Sequence, residues 1–349
     1  MQKNKPSIND LAKKLKISKT TVSFILNGKA KERRISDALV DRVKKEALKS
    51  GYQPNQFAKG LRTGRTNIIG LMVEDISNPF YASIAKIVED KVHLNGYKII
   101  YCSTENNKTR GKEFLNMFTT LGVDGCIIVP TMGMEKEIAE MVEKGKSIVL
   151  IDRKFKSKLT DVVMVDNKGG MYSAVQHLVD QGYKNIGLVA LTLDKPEKED
   201  RINGYREAIA DNKMNPYVYP LPFKVHYHDY VEDIGKILSG NRKLDAVVFG
   251  TNYLGIAGLE AIYQMKLSIP EDIAVVSFDD HDLFRIHRPG ISVVAQPIEE
   301  IAQTSIDTLL SNLQNGIGKG KRVKTITLST SLIVRESSAR VKSNSRGKL

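Results

Sequence analysis

From Ile68 onward the chain alternates short, almost wholly apolar runs with amphipathic stretches of helical period, and few folds accommodate that alternation. The apolar runs fall at 68–73, 98–102, 125–129, 147–151, 162–165, 186–190, 246–249, 273–278 and 323–328. Helical stretches at 81–95, 111–121, 169–181, 201–212, 254–265 and 298–315 lie between most of them. A strand without polar residues at alternate positions is covered on both faces, and strands that alternate with helices run parallel through crossover connections. The expected body is α/β, built on parallel sheets. Ligands in such sheets bind outside the carboxyl ends of the strands. Those positions are Asp75 to Tyr81, Thr131-Met132, Asp152-Arg153, Thr251-Asn252-Tyr253 and Asp279-Asp280. Each residue taken singly is equally an ordinary polar loop residue. As a group they are rich in carboxylates, amides and aromatic rings, the set suited to hydroxyl-rich or purine-like ligands.

The residues before Ile68 follow another plan. Ser7 can cap a helix, with Asp10 three residues on to complete a capping box, and Leu11, Ala12 and Leu15 form one apolar face. Lys16-Ile17 turns the chain, Ser18 caps a second helix, and Val22, Ile25 and Leu26 are its apolar residues. Two helices joined by so short a turn form a helix-turn-helix, whose second helix can enter a DNA major groove. Its exposed positions are Lys19, Thr20, Thr21, Ser23 and Phe24, able to reach phosphates and base edges. The competing reading is a small helical bundle with a solvated face. Ser36 caps a third helix, with Leu39, Val43 and Ala47 on its buried stripe and Ser50-Gly51 at its end. The basic segment 55–65 reads as a flexible linker or as a short helix ordered by a partner.

Charge separates these alternatives. Residues 1–66 carry 17 Lys and Arg against 5 Asp and Glu, residues 67–318 carry 27 against 34, and residues 319–349 carry 9 against 1. A solvated face mixes both signs, whereas a basic module beside an acidic one is the footprint of a phosphate-binding head on a separate body. Cys102 and Cys126 lie in apolar runs and read as reduced core residues of a cytoplasmic protein rather than a disulfide. His226-Tyr227-His228-Asp229 and Asp279-Asp280-His281-Asp282 have no partner at firm metal-ligand spacing, so no metal and no cofactor are expected. The common catalytic motifs are absent, so no enzymatic activity is expected. The polar N-terminus does not read as a signal peptide, and no apolar run approaches the roughly 20 residues that span a bilayer.

Several short stretches stand in a fixed order: Ile8-x-x-Leu11-Ala12, Ser18-Lys-Thr-Thr-Val-Ser-x-x-Leu-Asn27, Gly51-Tyr-Gln-Pro-Asn55 and Ala58-x-x-Leu61, then Asn78-Pro-Phe-Tyr81, Leu150-Ile-Asp-Arg153, Arg201-x-x-Gly-Tyr205, Phe278-Asp279 and Gln296-Pro297. In this order they resemble the lactose-repressor and galactose-repressor family of bacterial transcription regulators. The resemblance implies an N-terminal helix-turn-helix head (1–53), a hinge helix (54–66) and a periplasmic-binding-protein-like body (67–340). That body has two doubly wound parallel-sheet subdomains, about 67–166 with 296–322 and about 167–295 with 323–340, leaving 341–349 as a basic tail. It implies a homodimeric repressor of double-stranded operator DNA, controlled by a small-molecule effector, a sugar or derivative. The implied DNA-binding residues are Ser18, Lys19, Thr20, Thr21, Ser23, Phe24, Asn27, Tyr52, Asn55, Lys59 and Leu61. The implied effector residues are Phe80, Tyr81, Asp152, Arg201, Asn252 and Asp279, with Arg201 and Asp279 clamping hydroxyl pairs. The chain departs from the family pattern at Tyr253, where an acidic residue is usual, in the helix after it, which lacks the usual Met-Ala pair, and at Phe24, where polar residues are common. An exported sugar-binding transport protein shares the body but has no use for residues 1–67, and an enzyme would need a nucleophile or cofactor loop.

Leu61 matches the family's hinge leucine, which wedges into the minor groove at the operator centre. Leu61→Ala is expected to weaken binding to a selected operator more than binding to random duplex, because a wedge acts only on bent DNA. Equal losses on both duplexes in parallel titrations would make Leu61 part of a plain linker or core.

Overall fold

Ser7 and Asp10 start the first helix, α1 (Ile8–Leu15), by the reciprocal bonds of a capping box. The Ser7 backbone N–H donates to Asp10 Oδ2 at 2.8 Å, and the Asp10 N–H donates to Ser7 Oγ at 3.3 Å. Lys16 ends the helix in the left-handed region (φ 51°), returning its N–H to the Ala12 and Lys13 carbonyls. Ser18 then starts α2 (Lys19–Leu26) by accepting from the Thr21 N–H, and α3 (Asp37–Ser50) ends at Gly51. Ser36 holds the N-cap position of α3, but its side chain makes no capping bond there. Leu11, Ala12, Leu15, Val22, Ile25, Val43 and Ala47 form the core of this unit. Arg42 of α3 donates to the Leu15 carbonyl at 2.7 Å and fixes α3 against the turn.

The computed structural model describes residues 6–52, 65–192, 199–240, 243–315 and 323–340. They fall into two units, 1–67 and 68–349. The expected hinge helix and basic tail lie outside the described residues except for 65–66.

The second unit is a body of two lobes. Lobe 1 begins with β1 (Ile68–Val73), α4 (Pro79–Leu94), β2 (Lys98–Ser103), α5 (Lys108–Leu121), β3 (Gly125–Ile128), α6 (Glu135–Glu143), β4 (Ser147–Ile151) and β5 (Asp161–Val165). Lobe 2 follows with α7 (Asn167–Asp180), β6 (Ile186–Thr192), α8 (Glu199–Asp211), β7 (Tyr217–Pro222), α9 (Val231–Gly240), β8 (Ala246–Phe249), α10 (Asn252–Gln264), β9 (Ala274–Phe278), α11 (Asp282–Ile286) and β10 (Ser292–Ala295). The chain returns to lobe 1 as α12 (Ile298–Asn315) and β11 (Thr325–Leu328), then crosses once more to β12 (Ser331–Ile333). The sheets have the orders β11-β5-β4-β3-β1-β2 and β12-β10-β9-β8-β6-β7. The strand pairs run parallel in both, except that β12 lies antiparallel on β10. Each sheet is covered on both faces by apolar cores, as unbroken apolar strands require.

Three differences from the sequence reading have physical causes. The stretch 323–340 does not belong to the C-terminal subdomain as a whole. Its first strand, β11, pairs with β5 through Thr325↔Val162 to Leu328↔Val165, so the final crossing comes after Leu328. Strand β7 escapes an apolar-run reading because Pro220 and Pro222 lie in it, which an edge position tolerates. Helix α6 has no polar cap to signal its start, since Met134 stands there. Cys102 and Cys126 are free and buried, and burial pushes their thiols up to about 11 and about 12.

Gly204 on α8 packs tightly against α7, where a Cβ would run into the Lys168 carbonyl oxygen. Gly204→Ala is expected to destabilise the body by about 1–3 kcal/mol through overpacking. A lowered urea midpoint at unchanged m-value checks it.

Candidate functional site

In the head, Lys19 and Thr20 at the start of α2 stand exposed. The other expected contact residues are more engaged than a fully exposed face would be. The Ser18 and Thr21 hydroxyls are hydrogen-bonded to each other at 2.8 Å, and Thr21 is half-buried. Asn27 donates to the Ser23 carbonyl and hydroxyl at 2.7 and 3.2 Å. Phe24 is half-buried under the Arg33 guanidinium, 4.8 Å from the ring centroid, so this apolar residue carries a cation on its face. Tyr52 packs against the head core, and that burial raises its phenol pKa. Asn55, Lys59 and Leu61 lie outside the described residues.

The body's site is set by strand direction. β1, β4, β8 and β9 deliver Glu74-Asp75, Asp152-Arg153, Gly250-Thr251-Asn252 and Asp279 to the gap between the lobes. Asp152 and Asp279 follow equivalent strands of the two lobes and both hold left-handed backbone, with φ of 65° and 70°. Tyr81, buried on α4, donates its hydroxyl to Asp152 Oδ2 at 2.9 Å. Burial first, and then the charge of Asp152, raise the Tyr81 phenol well above its ordinary value. Arg201 on α8 donates to Asn167 Oδ1 at 2.7 Å and to the Gly250 carbonyl at 2.6 Å, lies 3.7 Å from Asp279 Oδ2, and stacks over Phe278. Asp279 also accepts from Gln296. Buried Arg153 pairs with Glu74 and donates to Asn106. Across the mouth, Asn252 Nδ2 of lobe 2 donates to Asn78 Oδ1 of lobe 1 at 3.1 Å. Asp280, by contrast, is turned to Arg335 in a two-bond fork and takes no part.

In front of this network lies a cavity of about 530 Å³. Lobe 1 supplies Glu74, Asp75, Ser77, Asn78 and Pro79 to its wall; lobe 2 supplies the segment 223–228, Asn252, Tyr253 and Ile256 on α10, and His281 and Leu283. Of the six expected effector residues, Asn252 is on this wall. Phe80, Tyr81, Asp152, Arg201 and Asp279 are not on it; Phe80 and Asp152 instead flank a much smaller void beside Gln296. The strand-end reading missed the segment 223–228, whose His226, Tyr227 and His228 entered the sequence reading only as a weak metal-ligand candidate. The segment follows β7, so recognising a proline-bearing edge strand would have placed Phe223 to His228 at a strand's carboxyl end. The His226 and His228 rings stack 5.4 Å apart, and His281 Nδ1 accepts the Leu283 N–H at 3.0 Å. Among the described residues no cluster of three His, Cys, Asp or Glu side chains is arranged to hold a metal ion. Among them, too, no helix is long and apolar enough to cross a membrane.

Comparison with known proteins follows this division. A family model described as bacterial regulatory proteins, lacI family, matches residues 7–55, and one for a periplasmic binding protein-like domain matches residues 175–338. The HTH-type transcriptional repressor PurR of Aliivibrio salmonicida is 28% identical over 314 residues, covering 88% of this chain and 92% of that repressor. The crystal structure of a LacI family transcriptional regulator from Enterococcus faecium with bound ribose is 25% identical, with a TM-score of 0.69, covering 79% of this chain and all (100%) of that one. The lac repressor dimer bound to operator shares the fold, with a TM-score of 0.80 at 19% identity over 96% of this chain and 99% of that one.

The capping box that starts the head's first helix is expected to be sensitive to acid. The Ser7 backbone bond, then its hydroxyl, hold the Asp10 carboxyl below its ordinary 3.8. A lowered folded-state pKa contributes stability that is present above 3.8 and lost as pH falls through the lower folded value. Asp10→Asn is expected to remove this part of the head's acid transition. Far-UV circular dichroism of both proteins through that window checks it, and superimposable acid limbs would contradict it.

Proposed function

Since the chain belongs to the lacI family of bacterial regulatory proteins, we propose that it is a sequence-specific DNA-binding transcription repressor. A small-molecule effector, a sugar or sugar derivative bound between the body lobes, sets its operator affinity. The observation that carries this reading is one chain joining a helix-turn-helix head, within a segment of 17 basic and 5 acidic residues, to a two-lobed body whose strand ends face a polar, aromatic-walled cavity. Lys19 and Thr20 would reach base edges, with Phe24 beside them, while Ser18, Thr21, Ser23, Asn27, Tyr52, Asn55 and Lys59 would fix the head on phosphates. Asn252 would meet the effector directly. Phe80, Tyr81, Asp152, Arg201 and Asp279 would shape and charge the cleft. It would act as a homodimer, presenting two heads to a palindromic operator. Its setting would be the cytoplasm, where the DNA is, and the function needs no catalytic step. The E. faecium regulator's ribose and the PurR homologue's repressor role support this reading. A transport protein has no use for the head matched at residues 7–55.

Full-length protein on a palindromic operator selected from random duplex is expected to bind with log K falling as log salt rises, by roughly 0.9 per phosphate neutralised. Any sugar that calorimetry shows to bind is expected to shift operator affinity by about 1–3 kcal/mol. A flat salt series, or a bound sugar that never moves the gel shift, contradicts the proposal.

A further inference from the structure

We propose that Tyr253 screens the Arg201–Asp279 pair from the open cavity, and thereby sets which ligands the chain accepts. The inference rests on the reading that the cleft binds the effector. Arg201 and Asp279, the groups able to clamp vicinal hydroxyls, are absent from the wall of the open cavity, whereas Tyr253 is on it. Arg201 is already engaged with Asn167, the Gly250 carbonyl and Asp279, and Asp279 with Gln296. Glu74, on the same wall, is committed to Arg153, which leaves Tyr253 as the uncharged residue placed to screen Arg201. Tyr253 lines the cavity, and its buried phenol lies within electrostatic reach of Arg153, Arg201 and Tyr81.

The ring is held in place from two sides. Its own backbone N–H donates to Asn252 Oδ1 at 2.8 Å, tying it to the residue that bridges the lobes. Its face leans on Tyr230 with centroids 6.0 Å apart and 32° between planes. Tyr230 is fully buried and hydrogen-bonded through its hydroxyl to the Lys224 backbone, so it cannot yield without disturbing the segment after β7.

A ligand entering this chain therefore meets a flat aromatic wall where the charged clamp would otherwise be open. In the cavity it finds the Tyr227, Tyr253 and imidazole surfaces together with the Asn78 and Asn252 amides. That combination suits the alternating apolar faces and hydroxyl edges of a glycoside with two or more rings. At about 530 Å³ the cavity falls inside the roughly 300–1,000 Å³ range of pockets that enclose drug-sized ligands, ample for more than one ring. A single-ring sugar, which depends on polar clamps for its affinity, is disfavoured.

The test is calorimetry of the full-length protein with D-ribose and D-glucose as single-ring probes. Tyr253→Ala is expected to bind at least one of them roughly tenfold or more tighter than wild type, a gain of the size that one removed steric block yields. Adding Arg201→Ala should abolish that gain, and Tyr253→Phe should behave as wild type, because the ring and not the hydroxyl is the screen. If Tyr253→Ala does not melt cooperatively, Tyr253→Leu, which retains packing on Tyr230, takes its place under the same criteria. Unchanged or weaker single-ring binding in the folded variant overturns the screen. So does wild-type binding of either probe that Arg201→Ala removes. Gel shifts with the same proteins separate the two readings: a variant that gains ribose binding without any change in operator affinity keeps the screen and sinks the effector reading.

Discussion

Everything in the body follows from the shared direction of its parallel strands. Because the strands of each sheet run together, save β12, the polar residues that end them collect at one side of each lobe. The chain then crosses between lobes three times, after β5, after β10 and after β11, which keeps those two sides facing one another. The repeat extends to backbone detail. In each lobe the strand two places from β1 or β6 ends in an aspartate with positive φ, Asp152 and Asp279. A non-glycine residue there costs of order 1–3 kcal/mol, tolerated at positions where side-chain direction matters. Here the turn brings the Asp152 carboxylate to the Tyr81 hydroxyl and the Asp279 carboxylate to Gln296 and Arg201.

The charges so gathered are paired within lobes. Glu74 and Asp152 with Arg153 belong to lobe 1, where the neutral Tyr81 hydroxyl also donates to Asp152; Arg201 with Asp279 belongs to lobe 2. Removing one partner of a buried pair leaves an uncompensated charge, at a cost of several kcal/mol, so each half-site is held firmly in its own lobe. The bond across the mouth, Asn252 to Asn78, is a neutral amide contact. Neutral hydrogen bonds contribute only about 0.5–1.5 kcal/mol net. Strong electrostatics inside the lobes and a weak contact between them let the cleft open without dismantling either half.

Much of this was legible in the sequence, and what was not has identifiable causes. The runs at 68–73, 147–151 and 246–249 and the helix at 298–315 match the observed elements residue for residue, because unbroken apolar runs and a long amphipathic period leave little choice. The capping signals at Ser7 and Ser18 are realised as bonds. Strand β12, three residues long and with Leu332 as its one apolar anchor against lobe 2, carries no such signal, and neither does the register that puts β11 beside β5. The strand-end rule brought Asp152, Arg201's partner Asp279 and Asn252 to one cleft. It could not tell which of them face open space, since that depends on side-chain packing that strand ends do not specify: Asn252 is on the cavity wall, and Asp152 and Asp279 are not.

A ligand shifts an equilibrium only by its differential affinity for two conformations. Couplings of about 1–3 kcal/mol are of the same size as one or two neutral hydrogen bonds. A ligand in the cavity would touch Asn78, Asn252 and the segment after β7, the groups that span or flank the mouth. Replacing the Asn78–Asn252 contact with its own bonds would favour one lobe spacing over another by a comparable amount. The buried pairs need not change partners, so binding energy would go into lobe spacing rather than into breaking charges apart.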